Sequence, residues 1–205
     1  MIAIIDYGAG NIQSVSKALM HIGCDCFITN KKDEILSADA AVLPGVGSFG
    51  NTVDNLNKFG IKEAVIEFIE SGKPFLGICL GLQLLFPGSD ESKGAEGLGV
   101  FDGTITKIPN GEGLKIPHMG WNSLTVKKGS RLFEGIEENP YVYFVHSYYL
   151  NAADKSIVAA QTEYGVTIDA AVERGNVFAT QFHPEKSGDV GLKILKNFVK
   201  IAGGK

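Results

Sequence analysis

A chain of 205 residues, 44% apolar and 20% charged, has enough apolar material for one α/β domain with a substantial core. A formal net charge of −4 with no basic block excludes a nucleic-acid surface, so no nucleic-acid partner is expected. No apolar stretch approaches the roughly 18 residues of a membrane helix, and "MIAIIDYGAG" reads as a buried strand rather than a leader. The three cysteines, with Cys24 and Cys26 too close together to staple a fold, suggest a reducing cytoplasm. In chain order, "IAIID", "AAVLPG" and "PFLGIC" are continuous apolar runs of the kind found in strands buried on both faces. Between the first two, "NIQSVSKALMHIG" is predicted to be a helix capped by Asn11 and stopped by Gly23. "IKEAVIEFIESGKP" puts Ile61, Ala64, Val65, Phe68 and Ile69 on one helical face, which Gly72 and Pro74 end. Such alternation implies a parallel sheet with right-handed crossovers. Beyond residue 95 the pattern becomes strand-like and punctuated, in "GVFDGTITKI", "YVYFVHSYYL", "SIVAAQTEYG" and "TIDAAVERGNVFATQFHPE", which predicts antiparallel pairing. A last helix, "DVGLKILKNFVKIAG", sets Leu195, Phe198, Val199 and Ala202 opposite Lys193, Lys196 and Lys200. No repeat or linker divides the chain, so residues 1–205 are expected to form one domain.

"GICLGLQ" places Cys79 between glycines at −2 and +2, where an apolar strand gives way to an apolar helix. That is the layout of a nucleophile elbow, with sulfur in place of oxygen. In such a turn the nucleophile's backbone is strained, and a β-carbon at either flanking position would clash. The helix beginning at Leu80 would favour thiolate through its dipole, and the Leu80 N–H would be free for an oxyanion. The same spacing also suits a core cysteine with glycines for close packing. The downstream "QFHPEKSG" shifts the balance. His183 and Glu185 stand two apart, as residues that face the same way on an extended chain, and Pro184 keeps His183 out of the helical region. A carboxylate beside an imidazole orients a base and stabilises its cation. Together these residues point to thiol acyl transfer, with Cys79 as nucleophile, His183 as base and acid, and Glu185 holding His183.

With "GICLGLQ" and "HPEKS" in place, the chain resembles the class I, triad-type glutamine amidotransferases. "DYGAGNIQSV", "LPGVGSFG", "PHMGWN", "YFVHSYY" and "QFHPEKSG", in that order, are similar to the glutaminase subunits of imidazole glycerol phosphate synthase in histidine biosynthesis. The resemblance covers residues 1–205. It implies a flavodoxin-like α/β fold, with a central mostly parallel sheet flanked by helices and an antiparallel extension. It implies that Cys79 attacks the side-chain amide of glutamine, giving a glutamyl thioester and ammonia, with no cofactor and no metal. By resemblance, Gln83 and Glu91 hold the substrate, and Ser147 and Tyr148 meet its carboxylate. Gly45, Val46 and Gly47 match the family's oxyanion strand, which is held unproductive until the partner binds its ligand. The partner implied is the cyclase subunit, a (β/α)₈ barrel, which receives ammonia through a closed passage. Met119 and Trp121 would be apolar anchors of that interface, and Asn11, Tyr143, His146 and Lys186 match further positions on it. His118 reads as another interface residue.

Other readings fare worse. "DYGAGNIQS" follows a strand as a dinucleotide fingerprint would, but Gln13 stands where the third glycine belongs and no acid ends the second strand. Cys24 and Cys26 have no second pair and only His21 nearby, so they read as a buried or half-buried pair of thiols.

Overall fold

The computed structural model describes residues 1–203 except Ala9 and Glu112. The first half alternates as the apolar runs require: β1 (Ile2–Ile5), α1 (Ile12–His21), β2 (Cys26–Thr29), α2 (Lys32–Ser37) and β3 (Ala40–Gly45). Then come α3 (Phe49–Lys58), α4 (Lys62–Glu70), β4 (Phe75–Cys79) and α5 (Leu80–Leu84). The second half is mostly strand: β5 (Gly103–Lys107), β6 (His118–Ser123), β7 (Thr125–Val126), β8 (Tyr141–His146), β9 (Tyr148–Ala152), β10 (Val158–Glu163), β11 (Thr167–Arg174) and β12 (Val177–Thr180). A 3₁₀ turn (Pro184–Lys186) and α6 (Gly188–Ile201) close the described chain.

Eight strands form one sheet in the order β2-β1-β3-β4-β12-β11-β10-β7. β2, β1, β3, β4 and β12 pair in parallel, and β11, β10 and β7 continue antiparallel. Every residue of β1, β3, β4 and β12 is buried, because helices cover both faces of the parallel half. Apolar side chains alternate between two cores. Ile5, Leu43 and Phe75 pack with Val53, Leu56, Val65 and Phe68 on one face. Ile4, Val42 and Ile78 pack with Val15, Leu19, Leu195 and Phe198 on the other. The mixed sheet with its antiparallel edge is the architecture the sequence implied.

Some elements differ from expectation. α2 and α3 were not read from the sequence. α2 has six residues, too short to show a period, and α3 is dominated by Asn, Gly and Thr. "PHMGWN" is strand β6, paired with β8 in a separate two-stranded ribbon. "YVYFVHSYYL" is two strands parted at Ser147, since β8 pairs with β6 and β9 with β5. Cys24 and Cys26 are both free, and burial pushes both thiols up.

A thiol, imidazole and carboxylate at the carboxyl edge of the sheet

β1, β3, β4 and β12 run parallel, so the segments after their last residues gather at one edge, where open α/β sheets bind ligands. Asn11 follows β1, Gly45–Gly47 end and follow β3, Cys79 ends β4, and His183 follows β12. In register, Gly45 lies beside Cys79 and Thr180 beside Ile78.

Cys79 has φ 55 and ψ −103, a conformation that non-glycine residues rarely adopt and that costs about 1–3 kcal/mol. Its flanking glycines leave no room for side chains. A β-carbon on Gly77 would sit 2.6 Å from the carbonyl oxygen of Gly81, across the turn. One on Gly81 would sit 2.0 Å from the carbonyl oxygen of Leu43, so this second glycine answers to the neighbouring strand β3 rather than to the turn itself. Gly81→Ala is therefore expected to lower unfolding free energy by about 3 kcal/mol or more, since backbone must move. A urea titration giving a loss under about 1 kcal/mol would show that β3 yields freely.

His183 is extended, with φ −101 and ψ 97, as Pro184 demands. Glu185, however, lies in the 3₁₀ turn, so the two side chains meet because the chain curls back and not through strand alternation. His183 Nδ1 stands 2.8 Å from Glu185 Oε1, and both side chains are fully buried. A carboxylate only accepts, so Nδ1 carries the hydrogen and Nε2 is left for Cys79. Among the described residues, Nε2 has no hydrogen-bond partner within the usual limits. Burial works against the imidazolium, but Cys79 and Glu185 together outweigh it and lift the His183 pKa to about 9.

Asn11 corrects the sequence reading in one respect. It precedes α1, yet its side chain does not cap the helix. Its Nδ2 donates instead to Glu185 Oε1, and the residue is buried. His146 is buried, donates from Nδ1 to the Tyr148 carbonyl at 2.9 Å, and accepts at Nε2 from His118 Nδ1 at 3.0 Å. His118, stacked between Phe144 and Tyr164, is also buried. Burial first of all holds both rings neutral, with pKa values lowered to about 4 for His118 and about 3 for His146. The helix-dipole expectation for Cys79 also weakens. α5 has only five residues before Leu85 and Phe86 tighten into i−3 bonds and Pro87 follows.

Beside Cys79 opens a cavity of about 330 Å³, lined by Val46, Gly47, Leu80, Gln83, Glu91, Pro117 and Val145–Tyr148. The sequence-derived binding residues thus converge here. Gln83 is buried and donates to the Tyr148 carbonyl at 3.0 Å. Glu91 Oε2 accepts from the Phe49 N–H at 2.8 Å, which turns an acid from a polar loop toward the cavity. Gly47 has φ +104. Gly45 is buried against Tyr7 and Leu80 and supports the strand behind the cavity. Clefts of about 650 and 800 Å³ lie around Lys127–Arg131, away from these motifs, so chemistry and not size marks the site. One participant was missed: Gln181, fully buried, whose Nε2 donates to Cys79 Sγ at 3.7 Å. It belongs to the quoted "QFHPEKSG", but nothing about a glutamine in an apolar run signals contact with sulfur 102 residues away. Of the surface residues, Met119 is 62% and Trp121 56% exposed, which excludes core packing for Trp121. Tyr143 meets the Trp121 ring edge-on, and Lys186 is exposed.

A thiol on an elbow, faced by an imidazole and a carboxylate on a 2-1-3-4 parallel sheet, is the site of a thiol-dependent acyl-transfer enzyme. The pattern described as glutamine amidotransferase class-I matches residues 3–202. The imidazole glycerol phosphate synthase subunit HisH of Caldanaerobacter subterraneus subsp. tengcongensis is 54% identical over 198 residues, 97% of each chain. That of Methanothermobacter thermautotrophicus is 51% identical over 201 residues, 98% of each. A crystal structure of a glutamine amidotransferase superposes with a TM-score of 0.78 at 20% identity, covering 99% of this chain and 100% of that one, a likeness of fold. The chain belongs to the class-I glutamine amidotransferase family. Within it, the chain groups with the HisH glutaminase subunits of imidazole glycerol phosphate synthase.

Proposed function

We propose that Cys79, His183 and Glu185 carry out the glutaminase reaction of this subunit, with glutamine seated in the cavity between Gln83, Glu91, Ser147 and Tyr148. The observation that carries the reading is the positive-φ Cys79 beside a buried His183–Glu185 pair, opening on a cavity lined by those four residues. The Cys79 sulfur adds to the side-chain amide carbon of glutamine, and the oxyanion is met by the Leu80 N–H together with an N–H from Gly45–Gly47. Leu80 opens α5, where a helix's first N–H groups have no intrahelical acceptor. His183 Nε2 then protonates the departing nitrogen, which leaves as ammonia, and a glutamyl thioester remains on Cys79. Water, giving its proton to His183, attacks the thioester and releases glutamate and the thiolate. No step calls for a metal or a cofactor.

The ammonia serves a second polypeptide, the cyclase subunit of imidazole glycerol phosphate synthase, a (β/α)₈ barrel. Docking falls on the outward face of the β6–β8 ribbon, where strand alternation turns Met119 and Trp121 away from buried His118. The ribbon is tied to the chemistry by main chain: the Tyr143 carbonyl accepts from the His183 N–H at 3.0 Å. Tyr143 N–H in turn donates to Ser187 Oγ at 2.9 Å. Pressure on Tyr143 and Trp121 therefore reaches the triad without crossing the core. Three free cysteines suit a cytoplasmic setting, and no described helix is long and apolar enough to cross a membrane.

Glutamate release from glutamine, measured on the chain alone, then with the cyclase, then with the cyclase's nucleotide ligand added, tests both parts. Activity is expected to be low alone and to rise about 10²–10³-fold only in the full mixture, the worth of one oxyanion donor brought into line. Full activity in the free chain, indifferent to the cyclase, would overturn the coupling.

A further inference from the structure

The Tyr148 carbonyl can only accept, and it accepts twice, from His146 Nδ1 at 2.9 Å and from Gln83 Nε2 at 3.0 Å. That fixes which end of the Gln83 amide faces it. The second hydrogen of the same Nε2 goes to Gln181 Oε1 at 3.1 Å. With its oxygen so engaged, Gln181 must turn its own NH₂ toward Cys79 Sγ, 3.7 Å away. The direction of each amide thus follows from a main-chain carbonyl. Gln181 is wholly buried and Gln83 nearly so, which shields these bonds from bulk water.

The geometry points to Gln181 as a hydrogen-bond donor to the nucleophilic sulfur, held in its donating orientation by Gln83 and the Tyr148 carbonyl of the substrate cavity. An N–H aimed at sulfur favours the thiolate over the thiol, because the charged acceptor makes the stronger bond. This arrangement supplies what the short α5 does not, a fixed dipole directed at Sγ. It also stabilises the thiolate that leaves when the glutamyl thioester is hydrolysed. Gln83 then has two roles, since the residue that lines the substrate cavity also sets the polarity at the nucleophile.

The titratable groups around the sulfur come from several elements. They are His183, with Glu185 behind it, from the turn after β12; Tyr7 from the end of β1; and His146 and Glu91 across the cavity. None of them is altered by changing Gln181 to methionine, which keeps the side chain's length and removes the donor. The role rests on Cys79 being the nucleophile, a point Cys79→Ser tests separately. Alkylation of the sulfur by iodoacetamide reads Gln181 whatever the substrate is.

In Gln181→Met, alkylation followed by mass spectrometry on the peptide carrying Cys79 is expected to slow about tenfold at pH 7 and to equal the parent at pH 10. kcat for glutamine should fall in step while KM stays within about twofold. Gln83→Met, at a residue whose own amide bonds go to the Tyr148 carbonyl and Gln181, should slow alkylation in the same direction, and the double variant should be no slower than Gln181→Met alone. Unchanged alkylation of folded Gln181→Met at pH 7 overturns the inference. So does a deficit of equal size at pH 10, which would mark a blocked or displaced thiol. Should Gln181→Met not fold, Gln83→Met decides, and parent-like alkylation in that variant overturns the relay.

Discussion

Cys79→Ser is expected to lower glutamine-dependent synthesis by the assembled complex at least about 10³-fold while synthesis from added ammonium salts continues at the parent rate. The substitution exchanges one atom on a backbone that stays at φ 55, so the elbow, the Gly77 and Gly81 contacts and the cavity are kept. Chemistry changes where shape does not. A hydroxyl holds its proton far more firmly than a thiol, so the His183–Glu185 pair that serves a thiol is too weak a base to remove it. The serine enzyme should therefore bind glutamine and fail at the first step. On the proposed function, the partner's reaction consumes ammonia from any source and does not depend on Cys79. Loss of both activities in a complex that still assembles would show that Cys79 is a structural residue.

The sequence carried the parallel half of the fold because strands buried on both faces must be apolar throughout, and "IAIID", "AAVLPG" and "PFLGIC" are. It carried Cys79 because the demand for glycine at 77 is steric and local, visible within five residues, whereas the demand at 81 comes from the Leu43 carbonyl on β3. It could place His183 in extended backbone, since the following proline dictates that, but the meeting with Glu185 comes from a 3₁₀ turn that spacing alone does not reveal. Asn11 shows a different limit. A residue just before a helix looks like a cap, and whether its amide serves the helix or a carboxylate 174 residues onward is decided by packing. His118 and His146 show a related limit. Histidine is equally at home on a surface and in a hydrogen-bonded core, and only the pairing of β6 with β8 brings the two rings together. Met119 and Trp121 lie outward on the same ribbon because alternation along β6 separates them from His118.

Glu185→Gln should act through charge rather than shape. Glu185 Oε1 accepts from His183 Nδ1 and from Asn11, and a glutamine can keep both bonds with its own oxygen. Its NH₂ would then occupy the place of Oε2, a buried atom that has no hydrogen-bond partner among the described residues. What disappears is the anion that helps hold His183 as imidazolium against burial. With Cys79 alone left to favour the cation against burial, the His183 pKa should fall from about 9, so less of the enzyme holds the proton that ammonia needs on departure. kcat at pH 8 is expected to drop about 10²-fold or more, with little change in KM, and the alkaline limb of the rate profile should move down from near pH 9 toward neutrality. Stability gives a second reading with a definite sign. A histidine whose folded pKa is raised contributes fully below its unfolded value near 6.5, and that contribution fades as pH climbs through about 9. The stability gap between the parent and Glu185→Gln should thus be widest near pH 6 and narrow by pH 10, which urea titrations at the two pH values would show. A gap that widens as pH rises, or an alkaline limb that stays in place, would mean the resting site does not hold its proton on His183, and that ammonia takes its proton from another group.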